Sequence, residues 1–196
     1  MSDDYQTRQS LLMRIRERYD ETAWEEFVEN YKNYIYKIII SFRVDSHDAD
    51  DLMQTVLLKL WKRLPEFEYD PGKGKFRYFL GRVTKNFVFK FLNKKKRSDS
   101  DDDSGDSSFK EEKLDPEINK VIDREWQLFI SEKAWANISP NYSETVLKVF
   151  LMHADDVEFP EIAEKLELDI NTAYVYRHRV QKALLKEIAR LEFELG

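Results

Sequence analysis

The sequence contains no cysteine, which excludes disulfide bonds, thiolate metal sites and cysteine nucleophiles. It has only five glycines and five prolines among 196 residues, fewer than a fold rich in β-turns needs. Hydrophobic residues make up 42% and charged residues 36% of the chain, which supports buried cores and argues against global disorder. These proportions predict an all-α protein of one large domain or two small ones.

Long apolar runs are also missing. Residues 1–20 have no apolar core of the length that a signal peptide needs. The longest aliphatic stretch, near residues 34–42, is far too short to span a bilayer. We therefore expect a cytoplasmic protein that does not insert into a membrane.

Histidine is scarce as well. The three histidines, His47, His153 and His178, are far apart in sequence, and no glycine-rich loop suits a phosphate group. Asp48, Asp50 and Asp51 form a conceivable metal site, but acids in the first turn of a helix are explained more simply by its dipole. We expect no catalytic residue, no metal and no cofactor, and hence a protein that is not an enzyme.

Apolar residues recur at intervals of three and four along the first half of the chain, the spacing of amphipathic helices. Pro65 is expected to end the third of these helices, and Asp70-Pro71-Gly72 predicts a turn after it. In the fourth helix one stripe is rich in phenylalanine. The predicted helices cover 11–19, 24–38, 48–64 and 76–93, with a loop at 66–75.

The second half begins with a ladder of apolar residues at a spacing of four, from Ile118 to Ile138. Ser139-Pro140 is predicted to cap and start the next helix, because proline suits the first helical position. A short helix at 159–166, a turn and a long helix after Asp169 then form the pattern of a helix-turn-helix.

Charge is distributed unevenly. Residues 73–97 include ten lysines or arginines and no acid, whereas residues 99–106 include five aspartates. A net charge of −6 does not suggest nucleic acid, but a local basic segment with interspersed aromatics does. The acidic tract cannot bury a core, which predicts a solvated linker. The predicted division is a domain at 1–97, an acidic flexible linker at 98–117 and a domain at 118–196.

The long C-terminal helix carries the first candidate binding surface. Its apolar positions would pack inward, leaving polar and aromatic residues able to contact base edges and phosphates in a major groove. Glu167 occupies the turn position that usually favours glycine. A generic helical hairpin with a solvated face is the alternative. The outward residues are Asn171, Thr172, Tyr174, Val175, Arg177, His178 and Arg179.

The basic helix and the loop before it carry the second candidate binding surface. Tyr78 and Phe89, with the loop aromatics Phe67 and Tyr69, are candidates for stacking on unpaired bases, at roughly 1–3 kcal/mol per base. The alternative is that the aromatics form a core and the lysines merely solvate a helix end. The candidate DNA contacts here are Lys73, Lys75, Arg77, Tyr78, Arg82, Lys85, Asn86 and Lys90.

The helix at 48–64 carries the third candidate binding surface. Leu58 lies outside its main apolar stripe, beside Asp51 and Gln54, which indicates a protein partner. Taken alone the signal is weak, since a single exposed leucine is ordinary.

These three segments together resemble a bacterial sigma factor of the extracytoplasmic-function (ECF) group, a small sigma-70-type subunit of RNA polymerase. The resemblance rests on DADDLMQTVLLKLWKRLPEFEYDPGKGKFRYFLGRVTKN (48–86), similar to a sigma-2 domain, and EFPEIAEKLELDINTAYVYRHRVQKAL (158–184), similar to a sigma-4 domain. It implies two small helical domains that direct core polymerase to promoters and assist DNA melting.

The resemblance also implies roles for individual residues. Asp51, Gln54 and Leu58 would bind the core polymerase, with Thr55 in place of the usual glutamate. The 66–75 loop would capture a flipped base of the −10 element, and the basic helix would hold that DNA. The C-terminal helix would read the −35 element. The implied partners are core polymerase and promoter DNA, with an anti-sigma protein as a further candidate.

Two hypotheses remain beside these roles. The acidic tract is either a nucleic-acid mimic that shields the basic helix or a soluble spacer. The protein as a whole is alternatively a transcriptional regulator that binds duplex DNA without polymerase, through its helix-turn-helix, with residues 1–97 as a dimerising module. That alternative gives no reason for the basic helix.

Overall fold

The computed structural model describes residues 6–16, 20–67, 74–97 and 116–196. Within these ranges the regular structure is entirely helical, and the all-α prediction is confirmed. None of the helices described there is both long and apolar enough to cross a membrane. The α-helices are α1 (Gln6–Arg16), α2 (Glu21–Ser41), α3 (Ser46–Arg63), α4 (Phe76–Arg97), α5 (Pro116–Ile138), α6 (Glu144–Ala154), α7 (Phe159–Lys165) and α8 (Ile170–Leu195).

The ends of α3 follow from its sequence. The Asp45 side chain accepts a hydrogen bond from the Asp48 backbone N–H at 3.0 Å, which caps a helix that begins at Ser46, two residues before the predicted start. Pro65 then stands in a short 3₁₀ helix, Leu64–Glu66, which ends α3 as predicted.

The apolar stripe of α4 is buried as predicted, with Phe76, Leu80 and Val83 fully covered. Phe76 lies edge-on to Tyr31, with ring centroids 5.5 Å apart. The helix continues to Arg97 rather than ending near residue 93. The aromatic stripe therefore fixes which face of α4 points away from the core.

The chain divides into two compact units, residues 1–129 with 194–196, and residues 130–193. The division falls within α5, whose first residues, Pro116 and Glu117, belong to the predicted linker. The rest of that linker, 98–115, lies outside the described residues. The functional limits at 97 and 118 therefore stay predictions.

The start of α6 differs from the prediction. Ser139 and Pro140 do not begin it; they form a separate 3₁₀ turn, Ser139–Asn141, followed by an extended Tyr142. Ser143 is the N-cap, and α6 begins at Glu144. The prediction was wrong because proline at an early helical position suits a 3₁₀ turn as well as an α-helix.

The second unit has the predicted helix-turn-helix. Ile162 of α7 and Ala173 of α8 are fully buried in one cluster with Val149 of α6. Leu151, on the same helix as Val149, is instead 47% exposed. Between α7 and α8, Glu167 adopts φ +52°, the left-handed conformation in which glycine is usual.

Candidate nucleic-acid and polymerase-binding surfaces

The outer face of α4 holds most of the cations predicted to contact DNA. Lys90 is exposed, and Arg82, Lys85 and Asn86 are partly exposed. Lys75 is exposed just before the helix, whereas Lys73 lies outside the described residues. The face is basic because its acid-free sequence places the phenylalanines, not the lysines, against the core.

Arg77 and Tyr78, at the start of α4, are already engaged. Arg77 Nη2 donates to Asp123 Oδ1 at 3.0 Å, and the Tyr78 hydroxyl donates to the same oxygen at 2.7 Å. The Arg77 side chain is only 11% exposed, and its guanidinium lies 5.6 Å from the Trp126 ring centroid. Burial, followed by the hydrogen bond to Asp123, raises the pKa of Tyr78. Sequence reasoning missed Asp123, because no local pattern indicates a partner 46 residues away.

The aromatics predicted to stack on bases differ in availability. Phe89 is 39% exposed, and Lys85 Nζ lies 5.1 Å from its ring centroid. Phe67 instead stacks on Phe79, with centroids 4.1 Å apart, so one face of its ring is occupied. Tyr69 lies outside the described residues. Phe89 is therefore the better-placed platform.

The acids at the start of α3 interact with the end of α4. Lys95 Nζ lies 2.6 Å from Asp48 Oδ2 and 3.5 Å from Asp45 Oδ2. The hydrogen bond to Asp48 is the main cause that raises the pKa of Lys95. Where the structure describes side chains, it shows no cluster of three acids or histidines suited to a metal ion.

The polymerase-binding residues predicted on α3 share one exposed face. Asp51 and Gln54 are exposed, and Leu58 is 54% exposed, whereas Val56 and Leu60 of the same helix are buried. The Thr55 hydroxyl donates back to the Asp51 carbonyl at 2.9 Å. Thr55 thus satisfies its hydroxyl within the helix and leaves Leu58 as the main apolar feature of this face.

The predicted recognition residues lie at the start of α8. The Asp169 carboxylate accepts a hydrogen bond from the Asn171 backbone N–H at 2.8 Å and so caps the helix, which follows Asp169 as predicted. Tyr174 and Val175 are 51% and 56% exposed. The remaining residues are either exposed (Asn171, His178 and Arg179) or partly exposed (Thr172 and Arg177).

An aromatic stack supports this surface from below. The Tyr174 ring lies 3.9 Å from that of Phe159, centroid to centroid, and Phe159 lies 4.4 Å from His153. Arg177 also donates a hydrogen bond to Gln181, one turn further along α8. Tyr174 and Arg177 of the predicted recognition face are therefore held by contacts within the protein itself.

Comparison with known proteins indicates which function these surfaces could have. A family model described as sigma-70 region 2 matches residues 27–98. The chain is also 24% identical over 180 residues to the ECF RNA polymerase sigma factor SigW of Bacillus subtilis (strain 168), an alignment that covers 88% of this chain and 92% of that relative. The chain thus contains a segment that matches sigma-70 region 2 and is similar over most of its length to an ECF sigma factor.

The region 2 match extends from Phe27 of α2 to just beyond the end of α4. It therefore includes both the exposed face of α3 and the basic face of α4. The helix-turn-helix of α7 and α8 lies outside the region 2 match. The similarity to SigW covers 88% of the chain and therefore includes at least part of this helix-turn-helix.

Proposed function

We propose that this chain is an ECF-type sigma factor, which directs RNA polymerase core enzyme to promoters and divides that work among the three surfaces described above. The α3 face binds the core enzyme, α4 holds the opened −10 element, and α8 reads the −35 element. The predicted domains at 1–97 and 118–196 would carry these roles. None of them requires a bond to be made or broken by the chain itself.

The observation that carries the proposal is the construction of α4. Its phenylalanine stripe is buried, and residues 73–97 contain no acid, so the outward face attracts phosphates along its length. Phe89 adds a partly exposed ring beside Lys85. Cations next to an available ring suit single-stranded DNA better than a closed duplex.

The proposal for α8 rests on the chemistry of its exposed start. Arg179 and Asn171 are residue types that pair with guanine and adenine edges, and Val175 offers an apolar contact to a thymine methyl group. The alternative, a regulator that binds duplex DNA without polymerase, is not favoured, because the region 2 match accounts for the basic helix. An anti-sigma protein stays a predicted partner.

The α3 role is tested by replacing Leu58. Leu58→Asp is expected to weaken binding to core polymerase at least about ten-fold, because it puts a charge into an apolar contact. The matched control is Leu185→Asp on α8, since Leu185 is 59% exposed. Fluorescence titration of labelled chain with core enzyme measures both. Equal binding by the two variants would contradict the assignment.

The DNA roles are tested by transcription with core enzyme on fragmented genomic DNA of the source organism, with the start sites mapped by sequencing. The unaltered chain is expected to produce starts that share two upstream elements. Arg179→Ala should relax the upstream element, whereas Lys85→Ala with Lys90→Ala should slow opening without changing either sequence. Loss of the downstream element in the Arg179→Ala variant would reverse the assignment.

A further inference from the structure

Residues Pro116–Phe129, the part of α5 that belongs to the first compact unit, lie against α4 and are called the strap here. Ile122 and Trp126 of the strap are fully buried. Gly81 of α4 makes room for them, because a Cβ atom at this position would lie 2.8 Å from side-chain carbons of Ile122. Glycine therefore permits α4 and the strap to approach more closely than any other residue type allows without a shift.

The strap also brings a carboxylate to the start of α4. Asp123 Oδ1 accepts hydrogen bonds from both Arg77 and Tyr78, at 3.0 and 2.7 Å. A DNA phosphate would offer the same kind of acceptor, an anionic oxygen, to the guanidinium and the hydroxyl of these two side chains. A phosphate and Asp123 cannot occupy the same donors at once.

Apolar contacts hold this polar bridge in place. Trp126 lies edge-on to Tyr34 of α2, with ring centroids 4.9 Å apart. The Tyr34 hydroxyl donates to the Arg77 carbonyl at 3.2 Å, which links the same aromatic pair to the start of α4. Because the contact is both apolar and charged, the strap is a packed part of the first unit.

We propose that the strap is autoinhibitory: in the free protein, Asp123 takes the place of a promoter phosphate on Arg77 and Tyr78, and the strap must leave before these residues contact DNA. The inference rests on the proposed function of α4. Shielding was one of the two hypotheses for the acidic tract at 99–106, which lies outside the described residues. The strap supplies a shield through residues of α5 instead.

The charge of Asp123 is tested first, in the full-length chain. Asp123→Asn is expected to bind a fluorescent single-stranded DNA of mixed sequence about ten-fold more tightly, since a neutral amide oxygen competes less strongly than a carboxylate with a phosphate for these two donors. Glu117→Gln is the matched control, because it removes one charge from the same helix, where Glu117 pairs with Lys120 at 2.7 Å. An unchanged affinity for Asp123→Asn, or an equal gain for Glu117→Gln, would overturn the proposal.

The movement of the strap is tested by a reversible lock. The chain has no cysteine, so Gly81→Cys with Ile122→Cys creates a single disulfide pair at a position where the two helices nearly touch. The oxidised chain is expected to bind the same DNA at least about ten-fold more weakly than the reduced chain. Equal binding in the two states would refute strap release. Failure to oxidise would contradict the close contact on which it depends.

A third variant separates this proposal from the function beneath it. Arg77→Ala should lower initiation by the complex with core polymerase. In that complex the strap has been released, so Arg77 is expected to contact DNA. If Arg77→Ala leaves initiation unchanged, the DNA role of Arg77 is wrong. If it lowers initiation while Asp123→Asn leaves DNA affinity unchanged, the strap proposal alone is wrong.

Discussion

Phe76 and Phe89 lie on the same helix, yet their surroundings give them opposite roles. Phe76 is fully buried and contacts the rings of Phe27 and Tyr31. Phe89 is 39% exposed and contacts Phe42 edge-on at 5.3 Å. At the scale of single residues, burial thus separates the core aromatics of α4 from the one proposed to meet DNA.

This contrast gives a prediction with its own control. Phe76→Ala should lower the free energy of unfolding by about 3–5 kcal/mol, the usual loss for a buried phenylalanine. Phe89→Ala should lower it less, and should weaken binding of single-stranded DNA by about 1–3 kcal/mol through the lost stacking. Urea unfolding and fluorescence anisotropy measure the two effects. Equal losses of unfolding free energy and of DNA affinity in the two variants would contradict the assignment.

Glu167 supplies a second prediction at this scale. Its φ of +52° is strained for a residue with a Cβ atom, so Glu167→Gly should raise the free energy of unfolding by about 0.5–1 kcal/mol. Glu164→Gly, within α7, is the control and should lower it by about 1 kcal/mol. Destabilisation by both glycines in urea unfolding would show that the turn is not strained.

At the scale of elements, α8 is tied to the second-unit part of α5 by Glu187. Its carboxylate accepts from Arg190 Nη2 at 2.6 Å and from Asn137 Nδ2 at 2.8 Å. The hydrogen bond to Arg190, and to a lesser degree the one to Asn137, lowers the pKa of Glu187 from 4.5 to about 2. A carboxyl whose pKa falls on folding stabilises the folded state only when it is ionised.

The pH dependence follows from that sign. The contribution of Glu187 should be complete above its unfolded pKa of 4.5 and should disappear as the pH falls from there toward about 2. Glu187→Gln should therefore be less stable than the unaltered chain at pH 7 and approach it near pH 2.5. Urea unfolding across this range tests the convergence, with exposed Glu164→Gln as the control. A stability difference that does not change with pH would contradict it.

The same scale shows how far sequence patterns reach. Periodicity located all the helices on which the surfaces lie, because a stripe such as Phe76, Leu80 and Val83 has no other way to be buried. Helix boundaries could not be located as well: Ser139-Pro140 fits two kinds of helix start, and the structure places it in a 3₁₀ turn that an extended Tyr142 separates from α6. The face of each helix could be predicted, whereas its exact first residue could not.

At the scale of the whole molecule, the sequence indicated which surfaces exist but not what covers them. Asp123 has no local feature that marks it as the partner of Arg77 and Tyr78. The opposition of Gly81 and Ile122 is likewise a property of the packed chain. Contacts between distant segments depend on tertiary structure, and for this reason the strap could not be predicted.

Net charge acts at this scale too. The chain is acidic overall, at −6, which opposes the approach of DNA, while the exposed face of α4 attracts it locally. Binding to a promoter should therefore depend on core polymerase, which would hold α4 and α8 at their proposed DNA targets and raise their local concentration.

The most direct test compares one promoter fragment with the free chain and with the chain bound to core polymerase, by DNA footprinting over a range of salt concentrations. The account predicts selective protection and strand opening only when core polymerase is present, weakening as salt rises. Selective protection of closed duplex by the free chain, with no initiation when core enzyme is added, would contradict it.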